Sequence, residues 1–224
     1  MDGVSKRIIA LTGLKGSGKD TTADYIIKNY PNWEKDSFAA VLKDITSVLF
    51  GWDRKMLAGE TVEDRVKREE KDEYWSKKFG RDITPRNMLQ FLGTDVLRTH
   101  LHEDIWVNAL ERKILNTDKN IIITDCRFKN EIDMLRQLGG LVIRVEREPL
   151  PDWFRRCEEV GKLYYNGARF LVDPYQQIDE LQTVHRSEWD WIGYDNPEYI
   201  LNSVSGDFDG LYKQIDKIME KING

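Results

Sequence analysis

The sequence predicts a single α/β domain in three layers, a parallel central sheet covered by helices on both faces. Three observations predict it. Short apolar runs, among them Ile8 to Leu11, Ile121 to Ile123 and Leu141 to Ile143, alternate along the chain with amphipathic helical stretches. Each run is apolar without interruption by regular polar positions, as strands buried on both faces are. The first run opens directly into Gly13-Leu-Lys-Gly-Ser-Gly-Lys19, a G-x-x-x-x-G-K loop with a helical stretch immediately after it.

Taken in order, Arg7 to Thr12 reads as a buried strand, and Lys19 to Asn29 as a helix stopped by Tyr30-Pro31. A second strand closes at Ser37-Phe38, and a helix through Leu42, Ile45 and Leu49 ends at Gly51. Between Glu60 and Asp82, fifteen of twenty-three residues are charged, eight acidic and seven basic. Glu63/Lys67 and Asp64/Arg68 are oriented i,i+4 pairs, which predicts a solvated helix in a surface insertion spanning about 52–83. Thr84-Pro85 has the form of an N-cap followed by proline at the first helical position. The helix it opens carries Met88, Leu89, Leu92 and Val96 on one side. Further elements are a helix from Ile105 to Leu115, a strand from Asn120 to Asp125, a helix from Glu131 to Leu138, and a strand from Leu141 to Val145. The stretch 149–197 is aromatic and lacks clear periodicity, a long connection that predicts a lid-like segment. It carries Arg155, Arg156, Arg169 and Arg186, expected as cations that close over reacting phosphates. Tyr199 to Asn202 is a last strand, and Leu211, Ile215, Ile218 and Ile222 mark a final amphipathic helix.

Composition narrows the function. With 224 residues, 40% hydrophobic, the chain has material for a core, and its net charge of -5 disfavours binding to polymeric nucleic acid. Two cysteines, Cys126 and Cys157, are too few for a disulfide scaffold or a structural zinc site, and point to a reducing compartment, the cytoplasm. No apolar run approaches the ~20 residues of a membrane span.

The glycine loop carries the chemistry. Its glycines, Gly13, Gly16 and Gly18, let successive N–H groups, that of Ser17 included, turn toward phosphate oxygens; the following helix adds its positive end, and Lys19 a full charge. The hydroxyl residue that normally follows the lysine is replaced by Asp20, with Thr21 and Thr22 after it. Asp20 either holds Mg²⁺ through water, acts on an acceptor phosphate while Thr21 and Thr22 serve the donor, or only favours the helix N-terminus. No Asn/Thr-Lys-x-Asp follows a strand, as a GTPase requires, and the apolar run before Asp125 ends Asp-Cys-Arg rather than in two acids. Asp125 falls at the C-terminal end of its strand, where ligands of open α/β sheets gather, with Arg127 and Glu131 just beyond.

These residues resemble the phage-type deoxynucleoside monophosphate kinases. The resemblance rests on Gly13 to Asp24, on Met88-Leu-Gln-Phe-Leu-Gly-Thr-Asp95, on Trp106, on Asp125-x-Arg127-x-x-x-Glu131, on Val145-Glu-Arg147, and on His185-Arg-Ser-Glu188. It implies a P-loop nucleoside monophosphate kinase-like fold and transfer of the ATP γ-phosphate to a deoxynucleoside 5′-monophosphate, with Mg²⁺. Small-molecule nucleotides are then the partners, and a phage-encoded copy would work in the host cytoplasm; the sequence leaves a homodimer open. The expected donor set is Gly13, Gly16, Ser17, Gly18, Lys19, Thr21, Thr22 and Arg147, and the metal set Asp20, Thr21 and Asp125. Lys19, Asp20, Asp125 and Arg127 are the expected catalytic residues. Lys15, Lys43, Arg86, Gln90, Thr94, Trp106, Arg127 and Glu131 are expected around the acceptor, Gln90 against a base edge and Trp106 as a stacking face. Glu131 also reads as a helix-start carboxylate. Two rival readings are a kinase of another phosphate-bearing acceptor, such as dephospho-coenzyme A, and a nucleotide-dependent switch without turnover.

Overall fold

The structure is a computed structural model, and it describes residues 6–168 and 173–223. Two compact units divide the chain, Phe38–Leu115 and the segments on either side of it.

The flanking segments form a sheet unit. It starts with β1 (Ile8–Thr12), α1 (Lys19–Asn29) and β2 (Trp33–Asp36). The chain then builds the second unit from α2 (Ala40–Phe50), α3 (Arg54–Ala58), α4 (Val62–Lys67), α5 (Glu73–Phe79), α6 (Pro85–Gln90), a π-helical turn (Phe91–Val96), α7 (Leu97–His100) and α8 (Ile105–Leu115). Returning, it adds β3 (Asn120–Ile123), α9 (Lys129–Gln137), β4 (Leu141–Arg147), α10 (Asp152–Tyr165), three short 3-10 turns, β5 (Tyr199–Ser203) and α11 (Phe208–Asn223).

The five strands lie in the order β2-β3-β1-β4-β5, and every pairing is parallel. The central strand β1 is buried at all five positions, which accounts for its unbroken apolar character. Alternate side chains go to opposite faces. On one face Ile9, Leu11, Ile143 and Val145 pack in a core with Ala23 and Ile26 of α1 and Leu211, Ile215 and Met219 of α11. On the other face, Ile8 meets the backbone at Gly140, where α9 has just ended, and Arg144 turns toward Phe154 and Glu158 of α10.

Arg144 is wholly buried in β4. Its guanidinium donates to Asp195 through Nε (2.8 Å) and Nη2 (2.5 Å), and through Nη1 to Glu158 (2.5 Å) and Glu146 (3.2 Å). Thr12 at the end of β1 donates to the same Asp195 carboxylate at 3.0 Å. Burial alone would raise the Glu158 carboxyl, but the Arg144 and Lys162 charges and hydrogen bonds outweigh it and pull it down to about 2.

The helical unit corrects one expectation. The charged stretch is two short helices rather than one, because Asp72 begins a new one by accepting from the Trp75 N–H at 2.9 Å. Glu63 and Lys67 do pair, at 2.8 Å, but Asp64 closes a capping box with Thr61 in place of reaching Arg68. Phe50 stacks on Trp52 and meets Trp75 edge-on, and Ile83 and Met88 complete a small aromatic core.

A second correction concerns 149–197, expected to be irregular. Residues 152–165 are a fourteen-residue helix. Its buried face carries Phe154, Cys157, Glu158 and Gly161, so a carboxylate and a glycine stand where apolar periodicity would have marked it. Gly161 is required there, since a Cβ would lie 2.4 Å from the Tyr175 hydroxyl and 2.5 Å from the Ile192 carbonyl. Phe154, Tyr175 and Trp191 are buried beside it. Among the described residues no helix is long and apolar enough to cross a membrane.

Candidate active site

The sheet unit places the loop Gly13–Gly18 at the C-terminal end of β1, beside the end of β3, where Asp125 and Arg127 follow. Gly13 has φ 142, and a Cβ on it would lie 2.4 Å from the Val145 carbonyl, so the loop can leave the sheet only through glycine. Lys19 begins α1 and is 8% exposed. Its ammonium donates to the carbonyls of Gly13 (2.7 Å) and Leu14 (2.8 Å), folding the side chain back along the loop. Burial, and after it the Arg127 charge, bring its pKa down to about 8, while Glu188, Asp20 and Asp125 act in the opposite sense.

Arg127 donates to the Ser187 hydroxyl at 3.3 Å and pairs with the Glu188 carboxylate. The other Glu188 oxygen accepts the backbone N–H of Lys15 at 3.2 Å. Arg147 donates to the Gly16 carbonyl at 3.0 Å. A cleft of about 270 Å³ lies along Leu14, Gly16, Arg147 and Pro149 to Pro151, floored by Phe154 and Trp191. The Ser17 and Thr22 hydroxyls are buried without hydrogen-bond partners. Asp20 points outward, its side chain 74% exposed, 3.2 Å from the Lys35 ammonium that also holds Asp24. Thr21 is half-buried.

Glu131 is a buried capping residue: its carboxylate accepts the N–H groups of Arg127 (2.7 Å) and Phe128 (3.1 Å) at the start of α9. The helix-start reading of this residue is thus realised, and it fixes the backbone from which the Arg127 side chain extends.

The helical unit carries Lys43 on α2, Arg86 and Gln90 on α6, Thr94 in the π turn and Trp106 on α8. Arg86, Gln90 and Thr94 are exposed. Trp106 is 4% exposed and donates its indole N–H to the Gly93 carbonyl at 2.9 Å, so the ring that was expected to offer a stacking face is packed inside the unit. The indole thus ties α8 to the π turn.

The expected lid cations are engaged locally. Arg155 pairs with Glu146, Glu148 and Glu158, Arg156 with Glu180, and Arg186 with Asp190. Arg169 lies outside the described residues. Two features escaped the sequence reading, the Arg144 cluster and the Glu188 contact. An arginine in the middle of an apolar strand was a visible sign of the first. Nothing in local spacing signals the second, which joins residues 173 positions apart.

Comparisons of sequence with known proteins agree with one another. The family model for deoxynucleotide monophosphate kinase matches residues 54–183, more than half of the chain. A protein of Acanthamoeba polyphaga mimivirus described as a deoxynucleotide monophosphate kinase is 36% identical over 154 residues, covering 62% of this chain and 74% of its own. The deoxynucleoside-5′-monophosphate kinase of Escherichia phage T5 is 29% identical over 184 residues, covering 60% of this chain and 73% of its own. Among solved structures, shikimate kinase from Bacteroides thetaiotaomicron aligns over 97% of this chain and 99% of its own, at 15% identity and a TM-score of 0.45.

Proposed function

The chain belongs to the deoxynucleotide monophosphate kinase family, and from that premise we propose how its residues share the transfer of the ATP γ-phosphoryl group to a deoxynucleoside 5′-monophosphate. An oxygen of the acceptor phosphate attacks the γ-phosphorus, and the bond from that phosphorus to the β–γ bridging oxygen breaks, giving ADP and the deoxynucleoside diphosphate. The attacking oxygen is already anionic, so no base is needed; positioning and cancellation of charge carry the catalysis.

The observation that supports this reading best is Lys19, buried at the start of α1 behind the glycine loop, with Arg127 and Asp125 close enough to act on its charge. We assign Lys19 and the amides of Gly16 and Gly18 to the β- and γ-phosphates, with the Thr21 hydroxyl on the donor side; the Ser17 amide instead donates to the Leu14 carbonyl at 3.1 Å, and Thr22 is wholly buried. Arg147 and the cleft at Pro149 to Pro151 suit the adenine end, an apolar wall with a cation at its rim. Arg127 takes the transferring phosphate. The resemblance assigns Lys15, Lys43, Arg86, Gln90 and Thr94 to the acceptor; Trp106 and Glu131 act through neighbours, holding the π turn and the Arg127 backbone. Thr21 and Asp125 are hard oxygen donors that fit Mg²⁺, while Asp20, turned outward to Lys35, would serve it only through water. That ion is held by one or two protein oxygens, substrate phosphates and water, so a cluster of three ligating side chains, absent among the described residues, is not required. When bound, it neutralises charge on the donor oxygens. The buried free thiols of Cys126 and Cys157 suit a reducing cytoplasm.

Coupled ADP release, measured with ATP, Mg²⁺ and a panel of deoxy- and ribonucleoside monophosphates, tests the reading. Turnover is expected with at least one deoxynucleoside monophosphate. Turnover with dephospho-coenzyme A alone, or ATP binding with no transfer to any acceptor, would replace it by one of the rivals.

A further inference from the structure

Glu188 stands at the phosphate loop, yet phosphoryl transfer requires no carboxylate there. It ends the 3-10 turn Arg186–Glu188, in the stretch His185-Arg-Ser-Glu188. One carboxylate oxygen accepts the Lys15 amide of the loop at 3.2 Å, and the other pairs with the Arg127 guanidinium. Its charge also reaches Lys19. A loop amide, a guanidinium and a lysine are the donor set by which such loops hold a phosphate edge. A carboxylate offers the same two adjacent acceptor oxygens with less charge.

We propose that Glu188 is a built-in competitor for phosphate: its carboxylate takes the anion position shared by the Lys15 amide and Arg127, and substrate phosphate binds by displacing it. The turn that carries Glu188 is suited to release it. His185 caps that turn through Ser187, and Arg186 holds Asp190 at 2.9 Å, so the turn keeps its own internal bonds when the carboxylate lets go. The displaced anion carries one charge and a polyphosphate several, so exchange runs toward the substrate. Until then Glu188 keeps Arg127 and the loop amide oriented and their positive charge satisfied, which discourages capture of weaker anions. The inference rests on the phosphoryl-transfer reading of this loop.

Calorimetric titration of the wild type, E188Q and E188A with inorganic tripolyphosphate, ATP and the four deoxynucleoside monophosphates tests it. E188A is expected to bind about tenfold tighter, about 1.4 kcal/mol, with E188Q between it and the wild type. Tightening for tripolyphosphate and ATP places the displacement on the donor; tightening for monophosphates alone places it on the acceptor. If E188A fails to fold, the isosteric E188Q decides. Equal or weaker binding of every probe by the folded variants would overturn the proposal and make Glu188 a positioning residue for Arg127. Absence of any binding by wild type and variants alike would overturn the phosphate-loop reading itself, and the proposal with it.

Discussion

The sheet unit and the helical unit each have an apolar core but differ in where their polar bonds run. In the sheet unit, Ile9 pairs with Ile122 on one side and Leu141 on the other, and the Arg144–Asp195 pair joins residues 51 apart. In the helical unit, the aromatic core joins residues such as Phe50 and Trp75, but the starts of the short helices are fixed locally. Asp53, Thr61, Asp72 and Thr84 each accept an N–H three residues ahead, at Met56, Asp64, Trp75 and Asn87. The difference teaches where each unit is vulnerable. A buried charge cluster assembled from distant segments fails as a whole when one member is lost, whereas a set of caps loses stability one helix at a time.

The sharpest test of that contrast is Arg144→Met. It leaves Asp195 without its counter-charge in the interior, and Glu158 with only Arg155 and Lys162 at its exposed edge, and should cost about 3–5 kcal/mol in a urea unfolding experiment. A loss below about 1 kcal/mol would mean that the cluster is no more cooperative than a cap. Lys19→Ala should lower kcat at least about a hundredfold, close to 2.7 kcal/mol of transition-state stabilisation, while the unfolding midpoint barely moves. A rate within tenfold of wild type would detach the loop from the chemistry.

Smaller effects follow on the other side of the comparison. Thr84→Ala removes one cap and should cost about 1 kcal/mol, without altering the steepness of unfolding. A loss as large as that of Arg144→Met would erase the distinction between the units.

Acid titration sharpens it further. Glu158 is depressed from 4.5 to about 2, so its contribution is present above pH 4.5 and is lost as pH falls toward 2. The acid limb of stability against pH should therefore be shallower in Glu158→Gln, and an unchanged limb would remove Glu158 from the cluster's energetics. The smallest signal is a fraction of a proton. Lys19, near pKa 8, is largely neutral at about pH 9, and an arriving phosphate favours its charged form, so ATP binding should take up protons there. Calorimetry at that pH in two buffers of different ionisation enthalpy would show it; identical heats would separate Lys19 from the bound phosphate.

Several elements were legible because their causes are local. The helix after the loop, the stop at Gly51, the Thr84-Pro85 start and the strand at Asn120 all appear within a residue or two of where propensity and capping place them. α10 was not legible, since what it buries includes Glu158 and Gly161, polar or small residues whose partners lie elsewhere in the chain. Trp106 shows the same limit. Its type allowed either a stacking face or a core ring, and only the position of the Gly93 carbonyl decides for the ring.

By itself, then, the sequence determined the alternation of strand and helix, the phosphate loop and its chemistry, and the family to which the chain belongs. Apolar runs, glycines of special conformation and a lysine at fixed spacing act through their immediate neighbours, so one dimension suffices to read them. Tertiary structure alone decided that Arg144 gathers three carboxylates, that the described arginines of 149–197 are tied to local acids, and that Glu188 meets the Lys15 amide. Charge acts through space, and which opposite charge a side chain finds depends on how the chain folds back, not on its place along it.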